Sequence, residues 1–110
     1  IFNPTQEKYR LGDILCADID NDSSSIEIPM LVIGEYDEKL LYVIKGENIC
    51  NPSRNPIKLE LPGFAKETYF HSKGEAYPLS KKDIKYKIKE ANPNFSHALS
   101  KIPIVKILSL

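Results

Sequence analysis

Two short apolar runs joined by a polar connection constrain this chain more than any other feature. Residues 28–34 (IPMLVIG) and 40–44 (LLYVI) flank the polar stretch Tyr36-Asp37-Glu38-Lys39. Apolar runs of this length, bounded by turn residues, read as buried strands, and a short polar link between them makes an antiparallel hairpin. Pro29 has no amide hydrogen to give a ladder, so it belongs at a strand start or on an edge. The neighbouring segments extend the same pattern. After Gly12, Asp13-Ile14-Leu15-Cys16-Ala17-Asp18-Ile19 reads as a strand closed by the turn cluster of residues 20–25 (DNDSSS). Ile57-Lys58-Leu59-Glu60-Leu61 alternates with period two, and Pro62-Gly63 turns the chain. Thr68-Tyr69-Phe70-His71 is β-prone and is followed by a turn at Ser72-Lys73-Gly74.

Helix signals are confined to the C-terminal part. Ser80 with Asp83 three residues on is similar to a capping box, and Ile84, Ile88 and Ala91 then fall on one helical stripe, which predicts a helix over 80–91. Asn92-Pro93 predicts the start of a second helix with Phe95, Leu99 and Ile102 as its apolar face, and residues 102–108 read as a final strand or extended tail. The expected fold is mainly β with C-terminal helices: an antiparallel, partly closed barrel of five to six strands, forming one domain over residues 1–110. Its core is expected to contain Ile14, Leu31, Ile33, Leu41, Val43, Leu59, Ile84 and Ile88.

Charge narrows the partners. Fifteen Lys and Arg balance fifteen Asp and Glu, so no global field draws the chain to nucleic acid or membrane. The balance hides an asymmetry: residues 1–55 carry 5 basic and 10 acidic side chains, residues 56–110 carry 10 and 5. No apolar run approaches the ~20 residues that span a bilayer, so no membrane association is expected. Ile1-Phe2-Asn3-Pro4 lacks the charged and apolar regions of a signal peptide, and the start without Met points to an excised or processed piece. Cys16 lies in an apolar alternation and Cys50 in a loop. Two free thiols and a reducing, cytoplasmic compartment are therefore expected.

Most chemical motifs fail on spacing. Asp18-x-Asp20-x-Asp22 opens like a calcium loop, but Ser23 and Pro29 stand where that loop needs Gly and Glu. No phosphate-binding glycine loop, zinc-protease helix or paired Cys-x-x-Cys occurs, and neither metal nor cofactor is expected. His97 reads as a surface or satisfied histidine, and the lysines of residues 81–89 as a solvated face. One place can gather chemistry. Residues 46–56 (GENICNPSRNP) form an unusually long loop, a candidate lid, and can face the strand end at 69–73. If the chain carries an RNA-directed site, that juxtaposition is where it falls, with Lys45, Arg54 and His71 as its candidate catalytic residues and Lys73, Tyr69 and Ser72 as its nucleic-acid contacts. Phosphate attracts the cations, and cleavage needs a titratable base such as His71.

The order of segments resembles the PemK/MazF family of toxin ribonucleases, small barrels related to the SH3 fold. Gly12-Asp13-Ile14 is similar to the motif that opens that family's first strand, and Pro29-Met30-Leu31-Val32-Ile33 to its second. Residues 61–70, ending Thr68-Tyr69-Phe70, resemble a further segment, and Leu79-Ser80-Lys81-Lys82-Asp83-Ile84 resembles the start of its helix. The resemblance spans about residues 10–110. It implies a toxin-type domain of a toxin-antitoxin module that acts on single-stranded RNA as an endoribonuclease, partnered by an antitoxin peptide and a second copy of itself. Two positions depart. The family's catalytic Arg falls at Ile28, and its Thr-Ser pair falls near Lys45-Gly46. The expected site is therefore degenerate or rearranged. The alternative is a non-catalytic small β-barrel module, cut from a larger protein, that binds a protein or nucleic acid.

Overall fold

The two apolar runs pair as anticipated. In the computed structural model, which describes residues 3–21, 24–64, 67–73 and 76–89, the chain forms seven strands. They are β1 (Ile14–Asn21), β2 (Ser24–Glu35), β3 (Leu40–Lys45), β4 (Pro56–Leu59), β5 (Thr68–His71), β6 (Tyr77–Ser80) and β7 (Ile84–Lys89). Five form one antiparallel sheet in the order β6-β3-β2-β1-β7, and β4 and β5 form a separate hairpin. The fold is mainly antiparallel β.

The β1–β2 hairpin outruns its expected bounds. The ladder continues through Ile19↔Ile26 and Asp18↔Glu27, so the acidic segment expected as a turn is largely strand. Alternation along β1, β2 and β3 makes both faces of the large sheet apolar. One face gathers Leu15, Ala17, Met30, Val32, Leu41, Val43, Leu79 and Ile84. The other gathers Ile14, Leu31, Ile33, Tyr42 and Ile44 beneath Leu61 and Phe70 of the β4–β5 region. Of the expected core residues, Ile14, Leu31, Ile33, Leu41, Val43 and Ile84 are buried, while Leu59 and Ile88 are partly buried against the second cluster.

The sheet is curled. β6 and β7 are its opposite edges, yet only the 3₁₀ turn Lys81–Asp83 separates them. Four residue steps reach at most ~14 Å, whereas the edges of a flat five-stranded sheet would stand ~19 Å apart. The sheet must bend to bring its edges together, and Leu79 and Ile84, one from each edge, meet in the same cluster. Among the described residues β6 and β7 share no ladder, and no closed barrel is seen.

The expected helix over 80–91 is also overturned: residues 84–89 are strand. A spacing of four fits helix and strand alike, and Ile-x-Tyr-x-Ile favours the strand once β1 offers an unpaired edge. Register shifts along the β1–β7 ladder then send Ile84 to one core and Ile88 to the other, so they share no stripe. Ser80 makes no side-chain cap, and the buried Lys81 instead pins the turn by an ion pair to Glu35 at 2.9 Å. β6 is the strand that sequence reasoning missed. Pro78 within it is tolerated on an edge. The expected second helix from Asn92, the tail strand over 102–108 and His97 lie outside the described residues.

Candidate functional site

The site begins with a glycine. Gly46 follows β3, and its amide donates to the Pro29 carbonyl at 2.8 Å. A Cβ there would stand 2.6 Å from Thr68 Cγ2 and 2.7 Å from Pro29 Cγ, so β2, β3 and β5 converge too closely for any side chain. From this pinch the loop runs out and back along β5. Glu47 and Tyr69 exchange backbone hydrogen bonds at 2.9 and 2.8 Å. The Asn51 amide donates to His71 Nε2 at 2.9 Å. The Lys73 amide donates to the Arg54 carbonyl at 3.0 Å, and the Ser72 amide to that of Asn55 at 3.2 Å.

Asn51 also caps a 3₁₀ turn over Pro52–Arg54, accepting from the Ser53 amide at 3.2 Å. Asn55 ends that turn in the left-handed region with φ 54°, a conformation asparagine tolerates better than most residues. The loop expected as a lid is stitched to β5 instead.

This stitching assembles a pocket of about 290 Å³ lined by Lys45, Glu47, Arg54, His71 and Tyr77, with Ile44 and Ala76 beneath. Lys45, Arg54 and His71 are thus brought together. Lys45 Nζ sits 3.9 Å from the centroid of the Tyr77 ring, a cation–π contact. Among the described residues neither Lys45 nor Arg54 has a carboxylate partner. A second, wider pocket of about 510 Å³ adjoins it, lined by Asn48, Ile49 and Asn51 and sharing Glu47 and Arg54 with the first.

The other three sequence candidates do not line either pocket. Tyr69 donates its hydroxyl to Glu67 at 2.8 Å, and that carboxylate also pairs with Lys58 at 2.9 Å. The Lys58 ammonium, and then the Tyr69 hydroxyl, hold the Glu67 carboxyl below the ordinary range. Ser72 is spent on Asn55, its hydroxyl donating to the carbonyl at 3.0 Å and accepting from Nδ2 at 2.9 Å. Lys73 serves the loop through its backbone. Glu47 and Tyr77 are the lining residues that sequence reasoning missed. The close backbone approach at Gly46 was the available signal for Glu47.

His71 decides what the pocket can do. It is 2% exposed, and its Nε2 lone pair already accepts the Asn51 amide. That bond assigns the neutral ring's proton to Nδ1. Nδ1 lies 2.8 Å from Glu47 Oε2, but the contact lacks the alignment of a hydrogen bond. His71 is therefore a hydrogen-bond donor with an unmet Nδ1–H. Its only basic lone pair is occupied, so in this arrangement His71 does not serve as a base toward a 2′-OH, and Glu47 is the carboxylate that lines the pocket.

The two positions where the resembled family carries its catalytic groups serve packing here. Ile28 lies opposite Ala17 and packs against the first core, and Gly46 has no room for a hydroxyl-bearing side chain. No protein-family model matches the chain, and no curated protein matches it by sequence.

Proposed function

We propose that this chain is a PemK/MazF-like, toxin-type domain that binds single-stranded RNA without cleaving it. The observation that carries the reading is the convergence of Lys45 and Arg54, both lacking a carboxylate partner among the described residues, beside the Tyr77 ring in one pocket. Cations that follow a phosphate backbone, one of them seated on an aromatic ring, are parts that single-strand binding grooves use. The curled sheet, with its edge strands joined by one short turn, supports an SH3-like, partly closed barrel as the scaffold. An antitoxin peptide and a second copy are the partners that the resemblance implies.

The test is fluorescence anisotropy with a labelled mixed-sequence RNA, alongside gel analysis of the same RNA. The parent should bind and leave the RNA intact, and a Lys45→Ala/Arg54→Ala variant should lose most of the affinity. Two phosphate contacts give a shallow salt dependence, a log–log slope of about −1.4. Cleavage by the parent refutes the non-catalytic part. Absence of binding refutes the RNA reading and leaves the second one, a β-barrel module for a protein partner.

A further inference from the structure

We infer that the Glu47 carboxylate is a built-in competitor occupying the seat of a ligand phosphate. The inference rests on the proposed RNA reading and assigns the ligand as one phosphodiester step, with a nucleoside in each of the two adjoining pockets. Three features place the phosphate seat. His71 Nδ1–H is a buried donor without an acceptor, its tautomer fixed from behind by the Asn51 amide. Arg54 and Lys45 line the same pocket without counter-ions among the described residues.

The third feature is Glu47 itself. It puts an anion 2.8 Å from Nδ1 in poor alignment, and its side chain is 50% exposed and free to swing outward. In that alignment the carboxylate makes no hydrogen bond with Nδ1–H, while a phosphate oxygen arriving in line would complete a charge-assisted one and meet both cations. Glu47 and Arg54 are shared by the pockets of about 290 and 510 Å³, so a phosphate at that wall has room for a nucleoside on either side, against Tyr77 and against Ile49.

The Glu47 strand bridge is made by its backbone, so the side chain can change without loosening the loop. The experiment is an amide NMR titration of the whole chain with two probes, the dinucleoside monophosphate UpU and inorganic phosphate. Glu47→Gln should bind both at least about five-fold more tightly than the parent. Glu47→Asp, which retracts the charge, should fall between, and Glu38→Gln, the same charge change in the β2–β3 turn, should alter affinity less than about two-fold. UpU should bind more tightly than inorganic phosphate, with shifts at both Tyr77 and Asn48.

Unchanged affinity in Glu47→Gln, or an equal gain in Glu38→Gln, overturns the inference even where long RNA still binds. A UpU affinity no better than that of phosphate overturns the two-pocket assignment. Tighter phosphate and UpU binding by Glu47→Gln, with no binding of longer RNA, upholds the seat and removes the proposed function.

Discussion

Replacing Gly46 by alanine tests the convergence on which the site is built. The added methyl would lie 2.6 Å from Thr68 Cγ2, 2.7 Å from Pro29 Cγ and 3.1 Å from the Pro29 carbonyl oxygen. Thr68 and Pro29 are both buried, and a proline ring has little freedom to retreat. Overpacking of this kind costs about 1–3 kcal/mol, and contact from two sides puts this site in the upper half of that range. Alanine also restricts the unfolded chain, which offsets about 0.4–1 kcal/mol. The net expectation is a loss of about 1–2.6 kcal/mol, or roughly 4–11 °C in Tm for a domain of this size. Denaturant titration followed by circular dichroism reads the change as a lower midpoint with an unaltered slope. Because Gly46 lies between Lys45 and Glu47, the same variant should also weaken RNA binding. A Gly46→Ala protein within about 0.5 kcal/mol of the parent would refute the claim that the backbones must touch here.

Three further outcomes are expected. His71→Ala leaves the Asn51 amide without its acceptor and should destabilise by about 1–3 kcal/mol, with hydrogen exchange accelerated at Asn51 and unchanged in the β1–β2 ladder; equal exchange at Asn51 counts against the bond. Titration with a thiol reagent should show one fast equivalent from exposed Cys50 and one slow equivalent from Cys16, whose thiol burial pushes up; two fast equivalents contradict the burial. Burial, and then Glu7, push the Tyr9 hydroxyl up to about 12. The unfolded chain therefore loses that proton first, near the ordinary tyrosine value of about 10. The stabilisation is complete below pH ~10 and is lost as pH rises from there through about 12. A stability profile flat across that interval, with Tyr9 ionising at the ordinary value by ultraviolet titration, would contradict this.

Sequence showed the strands that carry strong local signals and missed those that depend on distant partners. β2 and β3 were legible because each is a continuous apolar run with a polar link between them. β7 was read as helix because the spacing of Ile84 and Ile88 suits both periods, and only the open edge of β1 decides between them. β6 was invisible because Pro78 argues against a strand until its edge position is known. At the site, grouping Lys45, Arg54 and His71 needed only the reach of a long loop over a strand end. The role of His71 did not follow from its identity. Its lone pair is taken by a backbone amide twenty residues earlier in the chain, a bond with no local signature.

The single turn between β6 and β7 also sets a timetable. β1 leaves the ribosome ahead of the other strands of its sheet, but Lys89, the last β7 residue paired with it, follows Ile14 by 75 residues (89 − 14). At ~5–20 residues per second the nascent chain holds one side of β1 unpaired for roughly 4–15 s. A bare strand edge is a template for foreign chains, and lysines are a common guard on such edges. The strand that finally covers β1 carries lysines that guard it in another way: Lys85 pairs with Asp18 and Glu27 of the β1–β2 hairpin and Lys87 with Glu7 and Asp13, so the cations fasten the last strand onto the edge it covers.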